Sequence, residues 1–383
     1  MTAPHWQPLR GVRVLDFSVL LPGPFATAML ADLGADVIKV EPPAGDSARA
    51  VLPTMYRAAN RNKRSIAIDL KQPGAEPLLN ALARWADVAI ETFRPGVAAR
   101  LKVDRESLAR HNPRLIYCSL SGYGQNGPWR DRPGHDLNYL AAAGGLAFAG
   151  QWGRAPARSS LPIADVAGGA FAATAILAAL LEVGRSGRGV ELDLGLLEAT
   201  LFCSAMRHGL AEDTDPQSHL FAANDLFATA DGQYLTLALV EQHFWEGFCN
   251  AVRAFAPWVD APQFRSDAER RKHGDELSGR LQALLQSRDA AQWLALLANF
   301  DVPVELCITP YAASHSEQVR ARDLARDCDG ERFMLFPVRA DGGATPELRS
   351  AAPALGEHGT QIMRELAFSD DAIEAFRTAG IVR

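Results

Sequence analysis

The sequence is poor in the features that mark a membrane, secreted or nucleic-acid-binding protein. Its longest apolar stretch, Val166 to Leu181, lies between Asp165 and Glu182 and stops short of the roughly 18–20 residues that span a bilayer, so a buried helix is expected there. The opening MTAPHWQPLRGVRVLDF has no basic start, apolar centre or small-residue cleavage site, which speaks against a signal peptide and for a cytoplasmic protein. Positive charge is not in excess: 39 Lys and Arg face 45 Asp and Glu, for a net −6. Nucleic acid and anionic membrane are poor partners for such a surface. Cysteine is scarce and unpatterned. The five, at 118, 203, 249, 307 and 328, form no CxxC and no Cys/His ligand spacing, which excludes a disulfide framework and a zinc site and fits a reducing compartment. The glycine-rich turn GxGxxG is also missing, since Pro22-Gly23-Pro24 stands in the first turn. A dinucleotide cofactor is correspondingly a weak reading.

What is present is a 383-residue chain with 48% hydrophobic residues, long enough for two domains with cores of their own. VRVLDF and ADVIKVE read as strands around the helical LPGPFATAMLADLG, a β-α-β unit. Further strands at 65–70, 87–92 and 115–122 alternate with helical segments near 74–85 and 104–110, the pattern of a doubly wound parallel sheet. After the apolar helix and the turn GRSGRG come a strand, VELDLGL, and another helix from about Leu197. The polar AEDTDPQSH reads as a linker. DLFATADGQYLTLALV follows as two strands turning at Asp231-Gly232, with helices expected at 241–255 and 276–298 and a strand at VPVELCI. The reading is an α/β large domain over 1–200, completed by 320–383, and a smaller α+β domain over 225–305, with 201–224 and 306–319 as links.

Basic groups gather at the later strand ends: Arg61, Lys63 and Arg64 in NRNKRS, Arg94 in FRPG, and Arg100 one helical turn further on. They form either a phosphate site or a solvated rim. Asp165 precedes VAGGAF, so it stands at a helix N-terminus, as a plain cap or as an active carboxylate stabilised by free N–H groups. The glycines that follow suggest a substrate lying close to the backbone. His135, taken alone, is an ordinary loop histidine.

Long segments, in order, resemble the family III coenzyme A transferases: LRGVRVLDFS, MLADLGADVIKVEPP, NRNKRSIAIDLK, ETFRPGVAARL, NPRLIYCSLSGYGQNGP, GHDLNYLAAAGG, LPIADVAGGAF and ALGEHGTQI. The superfamily includes formyl-CoA and carnitine-CoA transferases and α-methylacyl-CoA racemase, and GHDLNYLA is most like the racemase form. The resemblance implies an acyl-CoA substrate and no cofactor beyond its coenzyme A moiety. It also implies an interlocked homodimer. Asp165 becomes the shared acid, nucleophile in transferases and proton carrier in racemases. His135 becomes the second proton-transfer group, and Glu241 in ALVEQHFW the carboxylate that orients it, from the partner chain. Arg61, Lys63, Arg64, Arg94, Arg100, Tyr123 and Gly124 fall in segments expected to hold coenzyme A. Two departures stand out. Pro42 occupies a position where the family often has a CoA-binding arginine, leaving a neighbour such as Arg49 to replace it, and HLFAANDLFATADG differs from the racemase acyl-pocket segment. Two reactions remain open on this basis, epimerisation of a 2-substituted acyl-CoA and CoA transfer through an Asp165 thioester.

Overall fold

The apolar runs of the first half become six parallel strands in the computed structural model, which describes residues 5–212, 215 and 217–383. Met1–Pro4, at the head of the segment read for a leader, and Asp213, Thr214 and Pro216, within the expected link, lie outside the described residues. The strands are β1 (Arg13–Asp16), β2 (Asp36–Glu41), β3 (Lys63–Ala67), β4 (Val88–Glu91), β5 (Ile116–Ser121) and β6 (Glu191–Gly195). Their order is β3-β2-β1-β4-β5-β6. Alternate residues feed two cores: Val14, Val37, Val88 and Ile90 on one face, Leu15, Ile38 and Ala89 on the other. A strand buried on both faces needs apolar residues at every position, which is why these segments read as continuous runs.

Helices α1 (Pro22–Asp32), α3 (Asp136–Ala142), α4 (Ile163–Ser186) and α5 (Leu196–His208) contribute to the first of these cores. The other is closed by α2 (Glu76–Trp85) and by the C-terminal α9 (Gly359–Glu365) and α10 (Asp370–Thr378). At 24 residues α4 is longer than predicted and, by length and composition, apolar enough to cross a membrane. Its small-residue face, Ala164, Gly168, Ala172 and Ala179, is nonetheless buried against the sheet and α1.

The chain divides into two compact units. One runs to Ala143 and takes in Ser159–Cys203 and Ser314–Arg383; the other comprises Gly144–Arg158 and Ser204–Ala313. The sequence reading gave 144–158 to the large domain, and this segment instead belongs to the smaller unit. Polar anchors decide it: Trp152 N donates to Asp225 Oδ2 at 2.8 Å and its indole N–H to Asp275 Oδ1 at 2.8 Å. The smaller unit has a three-stranded antiparallel sheet of β7 (Asn224–Ala228), β8 (Tyr234–Ala238) and β9 (Val304–Leu306). Helices α6 (Gln242–Val252), α7 (Gly274–Leu285) and α8 (Ala290–Leu297) pack on it. The single helix expected at 276–298 is two, because Asp289 starts a new one as its N-cap.

Beneath the large sheet lies a fully buried ion network. Lys63 Nζ meets Asp16 Oδ2 at 2.9 Å, and Lys39 Nζ meets Asp46 Oδ2 at 3.0 Å, all four side chains being shut off from solvent. Burial alone would raise the Asp16 pKa, but the Lys63 and Lys39 charges and the Ser18 and Thr27 hydroxyls hold it below the usual carboxylate range. The lysines also bind backbone: Lys39 Nζ donates to Ser18 O at 2.9 Å and Lys63 Nζ to Pro24 O at 3.0 Å. Asp46 accepts from Leu20 N, a non-glycine residue held at φ 64°. The turn from β1 into α1 is thus clamped from below.

Removing one partner of such a pair leaves an unpaired buried charge. Lys63→Met is expected to lower unfolding free energy by about 3–5 kcal/mol, read as the urea midpoint. A loss under about 1 kcal/mol would mean that the network is not what fixes the turn.

Candidate active site

In an open parallel sheet, ligands bind beyond the carboxyl ends of the strands where the order reverses. Here that point lies between β1 and β4, and a cleft of about 500 Å³ opens there. Its walls come from Val19, Leu20 and Pro22 after β1, Thr92–Pro95 after β4, Leu120–Gly122 at the end of β5, the 130–135 loop, and Asp165. Fold topology and side-chain chemistry therefore point to one place.

His135 is the N-cap of α3, its backbone N–H donating to Asn138 Oδ1 at 3.0 Å, and it is exposed to the cleft. The next residue, Asp136, turns inward. Its Oδ1 accepts from Ala164 N at 2.7 Å and Asp165 N at 3.3 Å, so the carboxylate that caps α4 is Asp136. Asp165, the third residue of that helix, is left to face the cleft. Burial and then the neighbouring Asp136 charge raise its pKa to about 7, against the pull of the helix N-terminus. Tyr139 forms part of the wall, its hydroxyl donating to Gly134 O at 2.6 Å. Burial, then Tyr123 and Asp165, push its pKa up to about 12. At the end of β4, buried Glu91 accepts from Phe93 N at 2.6 Å and fixes the turn that carries Phe93 and Arg94. Burial raises its pKa to about 7, Asp193 adding to the shift and Ser119 and Phe93 opposing it.

The sequence profile of CoA-transferase family III matches residues 9–359. The chain belongs to that family. Acetyl-CoA:oxalate CoA-transferase of Acetobacter aceti is 33% identical over 377 residues, covering 94% of this chain and 96% of that one. Alpha-methylacyl-CoA racemase of Mus musculus is 32% identical over 385 residues, covering 98% and 97%. The crystal structure of a CAIB/BAIF family protein from Brucella suis superposes with a TM-score of 0.83 at 29% identity, over 94% of this chain and 99% of that one. The relatives divide between transferase and racemase names.

Within this family III chain, His135, Asp165 and Arg94 line one cleft, whereas Arg61, Lys63, Arg64, Arg100, Tyr123, Gly124 and Glu241 are not among its walls. Arg61 is held by Asp32, Lys63 is sealed in the buried network, and Arg64 pairs with Asp36 and Glu365. Lys63 and Arg64 open β3, at the end of the sheet away from the cleft. The charges of this motif are spent within the fold, tying β3 and the residues before it to α1, β1, β2 and α9. Arg49 does not replace the arginine missing at Pro42: it is bidentate to Glu41, at 2.8 and 2.7 Å, and stacks on Tyr56. Arg100 is exposed at the end of the short helix Val97–Arg100. Tyr123 stacks edge-on against Trp129 and Tyr139. Gly124 lines a second, more apolar hollow with Phe171, Glu198 and Phe202. Glu241 is the exposed N-cap of α6 in the smaller unit. In the 219–232 departure, Ala222, Ala223 and Phe227 are core residues of that unit, and Leu220 is buried.

The glycines after Asp165 do not admit substrate. A Cβ on Gly168 would stand 2.2 Å from Leu196 Cδ2 and one on Gly169 2.6 Å from Pro22 O, so they allow α4 to approach α5 and α1. Sequence reasoning missed Asp136, Arg130, Arg132 and Glu91. Asp136 had one available signal, a carboxylate at the first position of a helix directly after His135.

Two outcomes follow from the Asp165 environment. Asp136→Asn, which removes the neighbouring charge, is expected to lower the Asp165 titration midpoint from about 7, as followed by carbon-13 NMR of labelled aspartate; an unmoved midpoint would contradict the coupling. Folded Asp165 keeps its proton to about pH 7, whereas its ordinary value is 3.8. The native state therefore binds more protons in that window, and this group's contribution makes stability fall as pH rises through it. Asp165→Asn should accordingly be more stable than the parent at pH 8, by something on the order of 1–3 kcal/mol, and lose that advantage near pH 4. Urea melts at the two pH values decide it.

Proposed function

We propose that this family III enzyme epimerises 2-substituted acyl-CoA thioesters by proton transfer between two groups on opposite sides of the α-carbon. One observation carries the reading: an imidazole and a carboxyl group with a pKa near 7 line the same cleft. A thioester acidifies its α-hydrogen because the carbanion delocalises onto the carbonyl oxygen. Neutral His135 removes that proton from one epimer while protonated Asp165 delivers one to the opposite face, and in the reverse direction the roles exchange. A group with a pKa near 7 is present in both forms at neutral pH, as an acid that must also serve as a base requires. The first turn of α3, which starts beside His135, offers N–H groups with no partner in the helix for the developing oxyanion. Glu241 from a partner chain would hold the His135 tautomer, in a homodimer. The reaction needs no cofactor beyond coenzyme A and suits the cytoplasm.

CoA transfer is the second reading, favoured by the transferase names among the relatives. There Asp165 attacks the thioester carbon and releases the CoA thiolate, which returns to the mixed anhydride to give an aspartyl thioester and the free acid. His135 has no evident part in that sequence.

His135→Ala should reduce α-hydrogen exchange of 2-methylacyl-CoA in deuterated water by at least about 100-fold, with CoA affinity nearly unchanged. Weakened affinity with normal exchange would reverse the assignment. Hydroxylamine trapping followed by peptide mass spectrometry should find no adduct on Asp165 under the same conditions. An adduct that forms and decays at the turnover rate would replace epimerisation by transfer.

A further inference from the structure

The cleft is unbalanced in charge. Its lining includes Arg94, Arg130 and Arg132, and its one carboxyl group is Asp165, about half ionised at neutral pH. Arg94 falls in a segment expected to hold coenzyme A, which leaves Arg130 and Arg132 with no duty in the chemistry above. Neither has a strong partner. Arg130 meets Asp131 at 3.6 Å with both side chains largely in solvent, an ion pair of little worth. Arg132 lies with its guanidinium carbon 4.4 Å from the centre of the Trp129 ring, and among the described residues no carboxylate forms an ion pair with it. A guanidinium stacked on an indole is fixed in plane while its edge N–H groups stay available for a bidentate anion.

We infer that Arg130 and Arg132 form a carboxylate subsite, so that the preferred substrate is a CoA thioester whose acyl group carries a second, free carboxylate. This rests on the acyl-CoA reading and adds the substrate class to it. The phosphates of coenzyme A offer the same chemistry, but distance argues against them. Arg132 is three residues from His135, which limits their Cα atoms to about 11 Å apart, and both side chains line a cleft of about 500 Å³. In coenzyme A the pyrophosphate is about a dozen bonds from the thioester sulfur, roughly 15 Å when extended. With the thioester at His135 and Asp165, the phosphates project beyond a space of that size. The far carboxylate of a short dicarboxylic acyl chain stays within it. A purely hydrocarbon chain there would strip water from two guanidiniums and return no hydrogen bond.

Calorimetric titration of the full chain tests this with three probes: glutaryl-CoA, pentanoyl-CoA, in which a methyl group replaces the carboxylate, and glutaryl-pantetheine, which lacks all phosphates. Glutaryl-CoA should bind about tenfold or more tightly than pentanoyl-CoA. Arg132→Gln, alone or with Arg130→Gln, should abolish that difference and should weaken glutaryl-pantetheine to the same degree. Arg132→Lys, which keeps charge but not the planar fork, should fall between and serves if the Gln variant folds poorly. Equal affinity of the parent for the two CoA esters overturns the inference. So does an Arg132→Gln effect that is equal for both esters and absent with glutaryl-pantetheine, because the arginine then holds a phosphate. Binding needs no turnover, so failure of the epimerase chemistry leaves this test intact, whereas absence of binding by either CoA ester sinks the acyl-CoA reading itself.

Discussion

The buried ion network of Asp16, Lys63, Lys39 and Asp46 is the constraint on which the rest of the large unit depends. Two lysines without solvent contact are costly to bury unless every charge is paired and every proton placed. This chain meets that condition by tying them to the carboxylates of Asp16 and Asp46 and to the carbonyls of Ser18 and Pro24. The β1–α1 turn is thereby tied to the network at Ser18, Leu20 and Pro24. That turn is a wall of the cleft, so the network acts on the site without touching it. In many doubly wound folds a glycine-rich turn at this position lets phosphate approach the backbone. Here the turn is built of proline and leucine and held by ions, which suits a wall better than a phosphate cradle.

The same logic positions His135 and Asp165, the two groups proposed to move the proton. A single side chain, Asp136, caps α4 and thereby joins the helix that carries Asp165 to the helix that starts at His135. Because its charge adds to burial in raising the Asp165 pKa, one carboxylate both positions Asp165 and helps it to keep its proton. Structural capping and proton poise are thus inseparable at this site. An Asp165 that served as cap itself would have its lone pairs filled and its pKa lowered.

The two units differ in architecture. The large one supplies the switch-point cleft, as its strand order requires. The smaller one has its own core around Trp245, Phe248 and Trp293 and carries Glu241 on its surface. The inclusion of 144–158 in that smaller unit means the chain leaves the large unit directly after α3 and returns just before α4. The two helices bearing His135 and Asp165 therefore flank that excursion, and Asp136 closes it by hydrogen bonds between residues nearly thirty positions apart.

Sequence alone determined the parallel α/β class, the strands and the long apolar helix, because burial on two faces and helical periodicity leave local marks. Motif likeness further singled out His135, Asp165 and the family. Only tertiary structure decided which charges are free to act. NRNKRS is as basic as any phosphate site, yet Asp32, Asp16, Asp36 and Glu365 consume its three cations. Those carboxylates lie about 28 to 47 positions earlier in the chain or some 300 later, so no local pattern reveals the pairing. Arg130 and Arg132, which look like loop charges, line the cleft instead. A side chain's charge is written in the sequence, but its availability depends on what the fold brings against it.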